Sequence, residues 1–157
     1  MSQKTPKIKL NLGSGHRKKD DYVNIDIDSS CNPDIVMDIE NGLPFEKDNV
    51  SEIFAHDFLE HIRPEKVLFV LEEIYRVLEP NGVLDFSIPS TDGRGAFEHP
   101  DHKSFWNINS WKYFLPEDQH RIVNGYKPQF EGRILDHWTD SINNIIHTKG
   151  RVHAIKN

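Results

Sequence analysis

Ile8-Lys9-Leu10-Asn11-Leu12-Gly13-Ser14-Gly15 decides the fold. A short apolar run ends in Gly-x-Gly, the pattern of a strand feeding a tight turn. Glycine there lets backbone approach a ligand where a Cβ would collide. Asn24-Ile25-Asp26-Ile27-Asp28 comes soon after. An acid at the end of the next strand can accept hydrogen bonds from a ribose diol, as in other nucleotide-binding α/β folds. Together the two stretches point to a nucleotide-like cofactor. An ordinary turn succeeded by surface acids is the competing reading.

Working outward, strand-like runs alternate with helix or loop. Residues 8–12 predict the first strand and residues 22–27 the second, where Val23, Ile25 and Ile27 alternate. Residues 34–37 read as a short third strand and 50–55 as the fourth. Residues 64–78 are the clearest helix: Val67, Leu68, Leu71, Ile74, Tyr75 and Leu78 recur at helical spacing, with Pro64 near the start. Glu79-Pro80-Asn81-Gly82 is a turn, and 83–88 a fifth strand stopped by Pro89. Asn109 or Ser110 caps a short helix through about Leu115. Residues 132–138 and 151–155 read as two closing strands. This alternation favours a mostly parallel sheet with ligands at the carboxyl ends of its strands. One link fits poorly. Only Gly13 to Asp21 separate the first two strands, where a parallel crossover normally takes a dozen residues or more. Either the first helix is reduced to a turn or these strands are arranged differently.

The chain has 157 residues, enough for one domain with one core. A net charge of −6 argues against a broad grip on a nucleic-acid backbone. Lys4, Lys7, Lys9, Arg17, Lys18 and Lys19 cluster near the N-terminus and read as a solvated end or a local basic patch. No apolar run approaches the ~20 residues that span a bilayer. The first seven residues lack the apolar centre of a signal peptide, so a cytoplasmic location is expected. Cys31 is alone, which excludes an intrachain disulfide and a cysteine-only metal site.

Five motifs now stand in order: Leu10-Asn11-Leu12-Gly13-Ser14-Gly15, Asn24-Ile25-Asp26, Asp38 through Leu43-Pro44-Phe45, Leu59-Glu60-His61, and Arg76-Val77-Leu78-Glu79-Pro80-Asn81-Gly82. Each alone is weak; their order and spacing are not. The chain resembles a class I S-adenosylmethionine-dependent methyltransferase of the small-molecule type. The resemblance implies a single Rossmann-like α/β domain over 1–157, a mostly parallel twisted sheet with helices on its faces. Residues 8–89 would form the cofactor-binding core, and 90–157 a substrate segment with the closing strands. It implies that Gly13, Ser14 and Gly15 pass under the methionine part of the cofactor, with Leu12 also among the cofactor-binding residues. Asp26, with Ile27 beside it, would take the ribose, Asp28 being the weaker candidate. Asp38 and Ile39 would lie near the adenine, although Asp38 could equally open the Asn41-Gly42 turn. His56 would lie near the sulfonium and the substrate mouth. The first helix is reduced, and the helix between the second and third strands is missing too.

Asp57-Phe58-Leu59-Glu60-His61 and, later, His99-Pro100-Asp101-His102-Lys103-Ser104-Phe105-Trp106 form a second constellation. Mixed oxygen and nitrogen ligands suit a divalent metal such as Mg, Mn or Zn. The pattern is similar to metal-dependent 2′-O-methyltransferases acting on the 3′ ends of small RNAs. That similarity implies Asp57, Glu60, His61 and His102 as ligands. Leu-Glu-His also occurs in methyltransferases that bind no metal, and His102 then lines the substrate mouth or acts as a base. His56, Asp57 and His102 are the catalytic candidates. Trp106, Trp111, Tyr113 and Phe114 stack a planar substrate or belong to the core. The motif for methylating exocyclic base amines is absent, since Ala55-His56-Asp57-Phe58 stands there.

The expected function is methyl transfer from S-adenosylmethionine to an oxygen of a small-molecule, sugar or glycan acceptor. The region after Pro89 resembles small methyltransferases of phages and of bacterial surface-glycan gene neighbourhoods. A metal-assisted RNA 2′-O-methyltransferase is one alternative, weakened by the negative charge. A non-catalytic cofactor-binding scaffold or activator subunit is another. No membrane partner is expected, and a homo-oligomer stays open.

Overall fold

The computed structural model describes residues 7–116 and 119–157, so Lys4 lies outside the described residues. Seven strands form one sheet: β1 (Ile8–Leu12), β2 (Val23–Asp26), β3 (Ile35–Val36), β4 (Val50–His56), β5 (Leu78–Pro89), β6 (Phe130–Asp140) and β7 (Ile145–Ala154). Their spatial order is β3-β2-β1-β4-β5-β7-β6. The first five run parallel, and β7 inserts antiparallel between β5 and β6. The helices are α1 (Val67–Val77), α2 (Gly95–Glu98), α3 (Ile108–Lys112) and α4 (Gln119–Asn124). The fold is a single Rossmann-like α/β domain. No described helix is long and apolar enough to cross a membrane.

α1 buries Val70, Leu71, Ile74 and Val77; of the expected stripe Leu71 and Ile74 are among them, Val67, Leu68 and Tyr75 are only partly buried against the core, and Leu78 is buried as the first residue of β5. Pro64 opens the 3₁₀ turn Pro64–Lys66 just ahead of it. This stripe joins Leu10, Leu12, Ile25, Ile53, Ala55, Leu84 and Phe86 in one core. Trp111 stacks on Phe86 with ring centroids 3.8 Å apart. Trp106, Trp111 and Phe114 are buried, which gives them to the core. The intervening strand residues carry charge instead, as the period of two requires. Lys9, Glu52, Arg151, Asp85 and His56 form a chain of ion pairs at 4.0, 3.2, 2.9 and 2.6 Å.

The short first crossover is parallel, with Leu10 opposite Val23 and Leu12 opposite Ile25. No α-helix is described anywhere before α1; 3₁₀ turns at Ser29–Cys31 and Ile39–Asn41 stand in the second and third links. The reduction therefore goes beyond the reduced first helix and the missing helix between β2 and β3, and reaches the link between β3 and β4 as well. Residues 13–22 need only retrace a few strand residues, well within their extended reach of ~3.3 Å each. Two buried asparagines fix the loop that does so. Asn11 donates to the Asn24 side-chain oxygen at 2.9 Å and to the Arg17 carbonyl at 3.0 Å. Asn24 in turn accepts from the Lys19 N–H at 2.8 Å and donates to Asp34 at 2.8 Å.

Three other elements differ from expectation. β5 begins at Leu78, so the expected turn at Glu79–Gly82 sits inside the strand as a bulge between the pairs Val50–Leu78 and Glu52–Val83. α3 is capped by Asn107 rather than Asn109 or Ser110; Ser110 completes the cap by accepting the Asn107 N–H at 3.1 Å. β7 begins at Ile145 rather than residue 151. Thr148 and Gly150 stand at its inward positions and hide the apolar alternation.

Candidate functional site

Gly13 follows the end of β1 with φ +63°, and a Cβ there would lie 2.5 Å from the Phe58 ring. A side chain at 13 would therefore displace the opposite wall. Gly15 donates its N–H to Asp26 Oδ2 at 2.7 Å, while Asp26 Oδ1 accepts from the Asp28 N–H at 2.8 Å. Each carboxylate oxygen keeps a further lone pair for an incoming hydroxyl. Asp38 caps the Ile39–Asn41 turn by accepting from the Glu40 N–H at 2.9 Å. It also lines the same cavity as Gly13 and Asp26.

That cavity is a cleft of about 520 Å³ at the carboxyl ends of β1 and β2. Gly13, Asp26, Ile27, Asp38 and Ile39 share it, as does Met37. Asp57, Phe58, His61 and Arg63 face them, with Asp101 and Lys103 closing the rim. Arg63 is fixed to the buried Glu40, donating its N–H at 2.8 Å and Nε at 2.6 Å. Burial pushes the Glu40 carboxyl up, but the Arg63 bonds more than offset this and hold it below its usual range.

Four expected cofactor contacts are arranged differently. Leu12 is fully buried in the core because it alternates with Asn11 on the strand. Ser14 is buried too; its N–H is tied to the Ile25 carbonyl at 3.1 Å and its hydroxyl has no partner. With Gly15 it holds the turn rather than lining the cleft. His56 is the clear correction. Its Nε2 lies 2.6 Å from Asp85 Oδ1, and its ring stacks on Phe54 with centroids 3.7 Å apart. His56 lines a separate groove with Arg133 and Lys149, because Glu52, Phe54 and His56 all project from the charged side of β4.

The acidic and histidine cluster is only partly assembled as expected. Lys103 and Ser104 donate their N–H groups to the Glu60 carbonyl at 2.7 and 3.0 Å. This pins the 101–104 segment across the Leu59–His61 turn and brings His102 to Glu60. One ligand atom from each of Glu60, His61 and His102 lies within 4.8 Å of the others. His102 has Nδ1 2.9 Å from the Ala96 carbonyl, which leaves Nε2 available. Both Glu60 oxygens are buried without a partner, and burial pushes this carboxyl up to about 8. Burial also holds the His61 imidazole low, with His102 contributing, so it is neutral at neutral pH. Asp57 stands outside the trio. His147 Nε2 lies 3.2 Å from Asp57 Oδ1, and Arg17 is 3.6 Å from Oδ2. The His147 bond, with Arg17 adding, holds the Asp57 carboxyl below its usual range against its partial burial.

A family model described as a methyltransferase domain matches residues 15–86. Residues 15–86 carry a class I S-adenosylmethionine-dependent methyltransferase domain. No curated protein matches it significantly by sequence. In structure the methyltransferase is similar to a SAM-dependent methyltransferase from Archaeoglobus fulgidus, at TM-score 0.66 and 14% identity over 98% of this chain and 87% of that one. It is similar to the 1,6-didemethyltoxoflavin-N1-methyltransferase of Burkholderia thailandensis, at 0.67 and 11% over 96% and 72%. The phosphoethanolamine N-methyltransferase 2 of Haemonchus contortus is similar at 0.65 and 11%, over 98% of this chain and 50% of that one. At these identities the likeness shows the fold.

The residues fit the methyl donor. The open lone pairs of Asp26 and the apolar Ile27 and Ile39, which share the cleft with Gly13, suit an adenosyl group. Sequence reasoning missed Met37, Phe58, Arg63 and His147. The first three lie within two residues of motif positions and were findable by proximity. His147 has no local signal, since only the β5–β7 pairing brings it to Asp57.

Proposed function

We propose that this methyltransferase transfers the methyl group of S-adenosylmethionine to an oxygen of a small-molecule, sugar or glycan acceptor. The observation that carries the reading is that Gly13, Asp26 and Asp38 share a cleft with His61 of the Glu60–His61–His102 cluster. The cofactor supplies an electrophilic methyl group. Asp26 would hold the ribose, Asp38 the adenine side, and the Gly13 turn the methionine side. The chain's task is then alignment and removal of a hydroxyl proton. His61, which lines the cleft and whose imidazole burial holds low, would accept that proton, with His102 beside it in the cluster. The toxoflavin and phosphoethanolamine enzymes support a small acceptor. Their names specify nitrogen methylation, so the oxygen preference rests on this histidine cluster alone. Labelled methyl donor offered to panels of hydroxylated and aminated small molecules tests it. Transfer confined to amines would overturn the oxygen reading.

A metal-assisted form has its own support: two unpartnered carboxylate oxygens of Glu60 buried beside two imidazoles. Mixed O and N donors of this kind suit Mn or Zn, and Mg with more waters. Glu60, His61 and His102 would hold the ion, without Asp57. Such an ion lowers the pKa of a bound hydroxyl. Zinc or manganese titrated calorimetrically into the wild type and into Glu60→Gln tests this. Equal heats for the two proteins would remove the metal.

A further inference from the structure

We propose that the methyl acceptor carries an aromatic body, held in an apolar groove that adjoins the cofactor cleft at Lys103. The inference rests on the small-molecule acceptor reading above and narrows it. The groove has a volume of about 510 Å³, within the range of sites that hold drug-sized ligands. Pro64, Val67 and Leu68, from the start of α1 and the turn before it, give it an aliphatic side. The rest of its apolar lining is aromatic: Phe105, Tyr113 and Tyr126, with Trp106 and Phe114 buried beneath. Phe105 is 52% exposed, and Phe97, 63% exposed, stacks on it with ring centroids 5.3 Å apart. Apolar surface gathered in one concave place, rather than scattered singly, marks a binding site.

The small polar groups of the groove are already committed. Ser104 donates its hydroxyl to the Leu59 carbonyl at 2.9 Å and accepts from Trp106 Nε1 at 2.9 Å. The Ser110 hydroxyl accepts the Asn107 N–H. A saccharide seated here would place hydroxyls against carbon, and each one left unpaired costs affinity. A flat ring between aliphatic and aromatic side chains leaves nothing unpaired. Position ties the groove to the cleft. Lys103 lines both. Ile62 and Arg63 line the cleft, and Pro64, next in the chain, lines the groove. Lys103 and Ser104 donate their N–H groups to the Glu60 carbonyl, so the groove starts on the turn that carries His61. An acceptor with its hydroxyl at His61 would extend its body past Lys103 into the groove.

Phenol and 4-hydroxybiphenyl share a hydroxyl and differ by the ring that would occupy the groove. Calorimetry on protein saturated with S-adenosylhomocysteine would measure both, with 1-octanol as the alkyl counterpart. The wild type is expected to bind 4-hydroxybiphenyl about tenfold or more tighter than phenol, as burial of a ring provides. Phe105→Ala and Leu68→Glu should each cut that ratio about fivefold or more and leave S-adenosylhomocysteine affinity within about twofold. Position 105 is exposed, and glutamate is a strong helix former at the partly buried position 68, so both variants keep the fold. A wild-type ratio near one, or an unchanged ratio in either variant, overturns the aromatic groove while S-adenosylhomocysteine binding keeps the cofactor reading in place. Tighter binding of 1-octanol than of 4-hydroxybiphenyl would give the groove to an alkyl chain and overturn the aromatic body. A wild type that is dimeric where Phe105→Ala is monomeric would give it to a second copy, with the same consequence. A wild type that does not bind S-adenosylhomocysteine overturns the cofactor reading and this inference with it.

Discussion

Replacing Glu60 by glutamine keeps the shape of a side chain whose carboxyl is buried and unpartnered, and removes its titration. The folded protein holds the Glu60 proton up to about pH 8, whereas the ordinary value is 4.5. Between those values the folded state binds a proton that the unfolded state has released. Stability of the metal-free wild type therefore falls as pH rises from about 4.5 to about 8, then levels off. The slope across that window is at most ~1.4 kcal/mol for each pH unit. Glu60→Gln should be flatter over that window and more stable than wild type at about pH 9, read from urea midpoints. Parallel profiles would mean that Glu60 finds a partner in solution. Asp26 is the complementary case, exposed to the cleft and already bonded to two backbone N–H groups. Asp26→Ala should weaken S-adenosylmethionine roughly tenfold to a hundredfold by calorimetry, since bonds to charged acceptors contribute about 1.5–3 kcal/mol. An unchanged affinity would remove the ribose role.

The loop between β1 and β2 stands in for a missing helix, and Asn24 is its hub. Asn24 joins Asn11, Lys19 and Asp34. Asn24→Ala leaves buried donors and acceptors unmatched, each costing about 1–3 kcal/mol. We expect a loss of roughly 2–4 kcal/mol in chemical denaturation, with weaker cofactor binding because the Gly13 turn loses its anchor. A loss below about 1 kcal/mol would show that water replaces the network. At this scale the sequence was readable wherever apolar periodicity was local. The β1 run and the α1 stripe were plain. The extent of β7 was not, because Thr148 and Gly150 face inward among apolar neighbours. His56 shows the other limit. A motif position after β4 suggested the cofactor, but the strand's alternation sends the side chain to Asp85, and only the sheet shows which side is which. Glu60, His61 and His102 were legible by chemistry. Removing Asp57 from their company took the left-handed bend at the end of β4 and His147, a residue distant in the chain.

The whole molecule is built so that its cleft closes contacts from distant parts of the chain. The β1–β2 turn, the Asp38 turn, the 57–63 segment and the 101–103 segment each supply one wall. No wall is continuous with its neighbour through a long helix, since none is described before α1. A ligand in the cleft therefore ties together elements that otherwise share only the sheet beneath them. Linkage fixes the size of the effect. At about a hundred times its dissociation constant a ligand adds about 2.7 kcal/mol to stability. A domain of this length shifts its midpoint about 2–4 °C per kcal/mol. S-adenosylhomocysteine at that excess should raise the thermal midpoint by about 5–11 °C. Asp26→Ala at the same ligand concentration should show a much smaller rise. Adenosine should give a lesser rise at equal concentration, since under the proposed assignment it would engage the Asp26 and Asp38 walls and leave the Asp57 wall unfilled. A wild-type midpoint that does not move with millimolar S-adenosylhomocysteine would mean that these walls do not enclose this ligand, and the assignment of the cleft would fail at its base.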